Sequence, residues 1–271
     1  PSDIEWLVKR ATLRGYPEPL TIMSSKAEDG INHKQYGVTS EGVASFFDVG
    51  FKNVFGEEAK NRQFSVMITG GPDGDVGCNL LKILIREYGE TIRIVGIADG
   101  SGVVEDTEGL DHKELLRLVD AGHSISHFNI DSLSPSGSLH DATSVDGLIK
   151  RNNMIYRLKT DVFIPCGGRP GTIDESSWKR YFDANNTPNS KLIVEGANLF
   201  ITPNAREKLQ QNGVFIIKDC SANKGGVISS AYEIHANLLL PRNRFVNNKH
   251  IFAANIVKQI KLLATLEATL M

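Results

Sequence analysis

The residues best suited to chemistry are the run Gly71-Pro72-Asp73-Gly74-Asp75-Val76-Gly77, which follows a β-rich stretch and opens a helical one. A glycine-rich turn between strand and helix leaves backbone N–H groups free at a positively polarised helix end, and that geometry suits a pyrophosphate. In this reading Gly71 permits the tight turn, Gly74 clears space for an approaching phosphate, and Gly77 lets the helix lie close to the strand. Asp75 and Val76 supply main-chain donors. The spacing is G-x-x-G-x-x-G, one residue longer than the usual dinucleotide fingerprint. A second strand ends at Asp99, about 20 residues beyond the turn, where the acid that binds a ribose is expected. An acid there favours NAD, because it repels a 2′-phosphate. The alternative is that Asp99 only caps the turn Gly100–Gly102.

These groups need a frame, and the surrounding pattern supplies one. β-like runs are expected at Phe64–Thr69, Ile92–Ala98, Asp161–Pro165, Lys191–Glu195 and Val214–Lys218. Helical patterns fall at Cys78–Tyr88, Asp111–Ala121, Val145–Tyr156, Asp174–Phe182 and Pro203–Gln211, with a further helix starting at Thr39-Ser40-Glu41. Alternation of this kind predicts an α/β fold, a Rossmann-like doubly wound and mostly parallel sheet. After Gly226 the strands stop, and Val227–Leu240 and Ile251–Leu270 form an α-helical C-terminal tail. The expected division is a residual segment of a preceding domain over 1–30, a dinucleotide-binding domain over 31–223 and the helical tail over 224–271. The Ser-rich patch Ser132 to Ser138 reads as a surface loop.

Composition excludes several classes of partner. With 41% hydrophobic residues, 23% charged residues and a formal net charge of −2, nothing points to nucleic acid or to an anionic membrane. No apolar run reaches the ~18 residues that span a bilayer. Cys78, Cys166 and Cys220 have no metal-ligand spacing and read as buried free thiols, which suits a reducing compartment. His123, His127 and His140 read as surface histidines, so no metal site is expected. The chain has no initiator Met and opens directly on a helical pattern, which suggests a piece of something longer.

Several segments together resemble the glutamate dehydrogenases, specifically their large NAD-specific branch. They are Tyr36 to Val43, the lengthened turn Gly71 to Gly77, Gly109 to Leu115, Asp161 to Gly167, Glu195-Gly196-Ala197-Asn198 with Thr202-Pro203, and Ala222 to Ser230. The resemblance covers roughly residues 31 to 235. It implies NAD as cofactor and L-glutamate and 2-oxoglutarate as substrates of the full-length protein. It also implies a homo-oligomer in the cytoplasm, or in mitochondria if the source is eukaryotic. By resemblance Thr39 contacts the nicotinamide carboxamide, Asn198 the nicotinamide ribose, and Ser230 the substrate α-carboxylate. Each has a plainer alternative: helix capping for Thr39, turn formation for Asn198, helix packing for Ser230. Lys224 stands at an uncharged family position and receives no role. The family's catalytic lysine and aspartate motifs do not occur in this sequence, so no catalytic residue is assigned and the chain alone is expected to be inactive. Three competing readings remain at this point: a leucine, valine or phenylalanine dehydrogenase, a non-catalytic nucleotide-binding or interaction module, and a methyltransferase.

Overall fold

The computed structural model describes residues 2–26 and 28–271. Its centre is a seven-stranded sheet built from β1 (Phe64–Thr69), β2 (Ile92–Ala98), β3 (Gly102–Glu105), β4 (Ser138–Asp141), β5 (Val162–Pro165), β6 (Leu192–Val194) and β7 (Phe215–Ile217), in the order β4-β3-β2-β1-β5-β6-β7. The five strands from β2 to β7 across the sheet are parallel, and β3 and β4 add an antiparallel edge. β1 consists, apart from Ser65, of apolar and β-branched residues, and Val66, Met67 and Ile68 are fully buried, as a central strand covered on both faces requires. The winding reverses between β1 and β5. In an open α/β sheet the crevice at the carboxyl ends of two such strands is where ligands bind.

Helices α1 (Ser2–Leu13), α2 (His33–Tyr36), α3 (Val38–Phe55), α4 (Gly77–Tyr88), α5 (His112–Ala121), α6 (Val145–Arg157), α7 (Pro203–Gln211), α8 (Asp219–Ala222), α9 (Gly225–Leu239) and α10 (Arg242–Leu270) complete the fold. One apolar layer joins Phe46, Phe47 and Phe51 of α3 to Leu80 and Leu84 of α4 and Leu115 of α5. The opposite layer joins Met154 and Ile155 of α6 to Phe163, Phe200 and Leu209. The tail folds back on α3: Ile256 and Ile260 of α10 pack with Val38, and Ala264 and Ala268 reach the first layer. Leu262, Leu263 and Leu266 stand on the exposed side of α10. Among the described residues, no helix is long and apolar enough to cross a membrane.

The structure departs from the sequence reading in four places. β3 and β4 were not foreseen. They are four residues long, and β4 is only partly buried, so it lacks the alternation that marks a strand. The loop expected up to Ser138 therefore ends on an edge strand. The helix expected over Asp174–Phe182 is a single 3₁₀ turn, Trp178–Tyr181. The Asp174 carboxylate accepts from the N–H and hydroxyl groups of both Ser176 and Ser177, a local competitor to helix formation. The last helix begins at Arg242, directly after Pro241 and well before Ile251, because Phe245 anchors its first turns in the core. Finally, Cys78 is buried, Cys166 is half-buried and Cys220 is exposed.

Candidate functional site

The turn between β1 and α4 is built by contacts that exclude side chains. Gly70, which the sequence reading passed over, has φ +93°, and a Cβ there would lie 2.6 Å from Gly167 N at the end of β5. On Gly71 a Cβ would overlap the Asp99 carboxylate, so this glycine is required by its neighbour rather than by its own φ. On Gly77 a Cβ would lie 2.5 Å from Gly70 O and 2.7 Å from Gly71 O. At Gly74 the distance to Gly71 O would be 3.0 Å. The turn closes through Gly74 N donating to Gly71 O at 2.9 Å, and the N–H groups of Asp75, Val76 and Gly77 donate to none of the described residues. They lie at the N-terminus of α4, where the helix dipole favours an anion. Lys34, also missed in the sequence, donates its ammonium to Asp73 O at 2.7 Å and puts a cation on the rim of the turn.

Asp99 does cap the following turn: one carboxylate oxygen accepts from Ser101 N at 2.8 Å, Ser101 Oγ at 2.7 Å and Gly102 N at 3.3 Å. Its other oxygen accepts from Ile125 N at 2.8 Å and faces Gly71. Capping and a place beside the glycine turn therefore coexist in one side chain. His123 and His127 stack at 4.8 Å nearby. No group of His, Cys, Asp and Glu suited to a metal occurs among the described residues.

The opposite wall of the crevice is assembled from distant segments. Asn32 caps α2, accepting from Gln35 N at 2.9 Å, and Gly37 in the left-handed region (φ +64°) ends it and starts α3. This presents Thr39 toward Gly226 at the start of α9, where a Cβ would lie 3.3 Å from Thr39 Oγ1 and 3.1 Å from His33 Nδ1. Ser40 Oγ donates to Val76 O at 2.7 Å and ties α3 to the glycine turn. Asn198 lies just past β6, its Oδ1 accepting from Asn223 Nδ2 at 2.6 Å. The next residue, Leu199, has φ +54°, and its N–H donates to the Asp219 carboxylate at 2.8 Å. Strain of that kind persists only where neighbours enforce it, and it concentrates at functional turns. Behind it, Glu195 is buried and bonded to Arg206 and to Ile201 N. Burial raises its pKa against the pull of the Arg206 charge.

Ser230 sits one turn into α9 and meets two groups from the N-terminal segment: Ser24 Oγ donates to it at 2.7 Å and His33 Nε2 lies 3.4 Å away. Below it Lys26 and Glu233 form an ion pair. Thr39 and Ser230 thus both lie by the first turns of α9 beside His33, Asn198 is held by Asn223 just before that helix, and Asp99 stands against the turn at Gly71. Lys224 pairs with Glu267 of α10.

The sequence model of the family described as Glutamate/Leucine/Phenylalanine/Valine dehydrogenase matches residues 30–263. A Schizosaccharomyces pombe protein named probable NAD-specific glutamate dehydrogenase is 36% identical over 287 residues, covering 98% of this chain and 25% of that protein. The NAD-specific glutamate dehydrogenase of Neurospora crassa is 38% identical over 261 residues, covering 90% and 24%. Among solved structures, the hetero-hexameric glutamate dehydrogenase from Thermus thermophilus matches with a TM-score of 0.62 at 18% identity, over 97% of this chain and 58% of that one. This last likeness is one of fold. The chain spans about a quarter of the length of the curated relatives it matches.

Proposed function

Because this chain belongs to the glutamate/leucine/phenylalanine/valine dehydrogenase family, we propose that it is the NAD-binding part of a glutamate dehydrogenase. The reaction is reversible oxidative deamination, in which L-glutamate, NAD and water give 2-oxoglutarate, ammonium, NADH and a proton. The observation that carries this reading is the turn from Gly70 to Gly77. It leaves no room for side chains at its closest approaches, offers unpaired N–H groups at a helix N-terminus, and lies where the sheet reverses its winding. Those residues fit a dinucleotide, and the relatives named above are NAD-specific.

In this reading Gly71, Gly74, Asp75, Val76 and Gly77 hold the pyrophosphate, with Lys34 adding charge at the rim. Asp99 accepts from the adenosine ribose and repels a 2′-phosphate. Thr39 holds the carboxamide end and Asn198 the nicotinamide ribose, while Ser230 donates to a substrate carboxylate. The cofactor, when bound, supplies the hydride chemistry, and the chain positions the reactants. No residue of this chain is assigned the proton-transfer roles. The division at 1–30, 31–223 and 224–271 is part of the same proposal, as are a homo-oligomeric assembly and a cytoplasmic or mitochondrial location.

Calorimetric titration of the 271-residue chain with NADH and NADPH tests the cofactor half, the expected result being binding of NADH in preference to NADPH. Glutamate-dependent NADH formation by the protein at its full natural length tests the other half. Binding of neither dinucleotide would overturn the reading. A preference for leucine, valine or phenylalanine over glutamate would move it within the family.

A further inference from the structure

Helix α9 turns Gly226, Ser230 and Glu233 toward the segment 24–33, at a spacing that places them on one face. The ring of His33 occupies the space a side chain at position 226 would need. Glu233 is fully buried; one oxygen pairs with Lys26 Nζ, and the other accepts from Ser25 N at 2.9 Å and Ile31 N at 2.8 Å. The Lys26 ammonium spends its remaining protons on Met23 O at 2.7 Å and Leu20 O at 3.0 Å. Gly30 keeps the space beside this carboxylate open, since a Cβ there would overlap Glu233 Oε1. A buried pair so completely hydrogen-bonded fixes register more than it adds stability. Here the register it fixes brings Ser24 and His33 together on Ser230.

The protons on Ser230 can be counted. Its oxygen accepts from Ser24 Oγ, and in the Nδ1–H tautomer of a neutral His33 its single proton is donated to Nε2, 3.4 Å away. An incoming carboxylate, which only accepts, finds no proton to take. An imidazolium reverses the chain: Nε2–H donates, and the Ser230 hydroxyl proton is released toward the crevice. We propose that His33 is the proton-regulated member of the carboxylate-binding site, taking up one proton from solvent when a substrate carboxylate docks on Ser230 and returning it when the carboxylate leaves. The inference rests on the reading of Ser230 given above.

The charges around the ring agree with this exchange. Burial keeps the imidazole below its ordinary pKa in the free chain, opposed by Glu233 on α9 and by Asp75 in the phosphate turn. On the ring's own segment, Lys26 is committed to Glu233 and Lys34 is turned to Asp73 O. A docked carboxylate adds a further negative charge beside a ring that two acids already favour protonating.

The test uses the protein at its full natural length and glutarate, a dicarboxylate with no reacting nitrogen or carbonyl, as a competitive inhibitor between about pH 6 and 8.5. One-proton linkage predicts that the inhibition constant rises by up to about tenfold per pH unit in the wild type. In His33→Gln the dependence flattens. Calorimetry in buffers of different ionisation enthalpy reads the same proton directly: nearly one is taken up per glutarate by the wild type, and none by the variant. NADH binding by His33→Gln reports that it is folded. An unchanged pH slope in the variant, or no proton uptake by the wild type, would overturn the inference while leaving the dehydrogenase reading intact. Glutamate turnover without any glutarate inhibition would overturn it too. Failure of glutamate turnover with NADH still bound would remove the substrate reading and this inference with it.

Discussion

Replacing Lys26 with methionine tests whether the buried pair staples the N-terminal segment to α9. Lys26 and Glu233 are 1% and 0% exposed. Methionine keeps the apolar stem but leaves the carboxylate with two backbone donors, Ser25 N and Ile31 N, and no countercharge. Removing one member of such a pair costs about 3–5 kcal/mol, a large share of the ~5–15 kcal/mol that holds a typical domain together. At roughly 2–4 °C per kcal/mol for a chain near this size, Tm falls by roughly 6–20 °C. Lys26→Met/Glu233→Leu removes the stranded charge but orphans two N–H groups, each worth about 1–3 kcal/mol. The double variant is therefore expected to melt below the wild type by less than the sum of the two single-variant losses. Thermal melts followed by circular dichroism, with urea unfolding to convert Tm into free energy, supply the double-mutant cycle. A Lys26→Met melt within roughly 2 °C of the wild type, or single-variant losses that simply add in the double, would refute the staple.

The glycine cradle makes an equally direct prediction. Gly77→Ala forces a methyl within 2.5 Å of Gly70 O, an overpacking worth about 1–3 kcal/mol, and NADH affinity by calorimetry should fall about tenfold or more; unchanged affinity would exclude the turn from the cofactor site. Asp99→Ala strips an acceptor from Ser101, Gly102 and Ile125, lowering stability and narrowing the preference for NADH over NADPH. A preference that does not move in paired titrations would leave Asp99 with capping alone. For His33, burial depresses the folded pKa below the ordinary value of about 6.5. Below that value the unfolded chain binds more protons, so the contribution is fully present above it and is lost as pH falls through the folded pKa. In the ligand-free chain, wild-type Tm should therefore drop relative to His33→Gln as the pH is lowered from about 8 to 5.5, and parallel Tm curves would contradict this.

Much of the fold was readable because the signals are local. The largely apolar run at Phe64–Thr69, the glycines that follow and the stripe in α4 each depend on neighbours a few residues away, and together they define a glycine turn between strand and helix. The place of Asp99 directly after β2 was legible for the same reason, since the length of one β–α–β unit fixes where its second strand ends. The edge strands β3 and β4 were not found, because pairing with β2 determines them and their own residues carry little pattern. The 3₁₀ turn at Trp178 likewise depends on how Asp174 shares its oxygens with Ser176 and Ser177.

The crevice wall divides in the same way. Thr39, Asn198 and Ser230 came from motifs whose order along the chain resembles a family, which names the residues but not their company. That His33 and Ser24 meet Ser230, and that Lys26 lies against Glu233 at a separation of 207 positions, follows only from α9 packing on the N-terminal segment. A lysine in a polar loop and a glutamate in a helix look solvated in sequence, because burial belongs to the assembled structure and not to either residue. The sequence by itself determined the glycine turn between β1 and α4 and the parallel strands around it. The tertiary structure decided which charges are removed from water, and so which side chains stand beside Ser230.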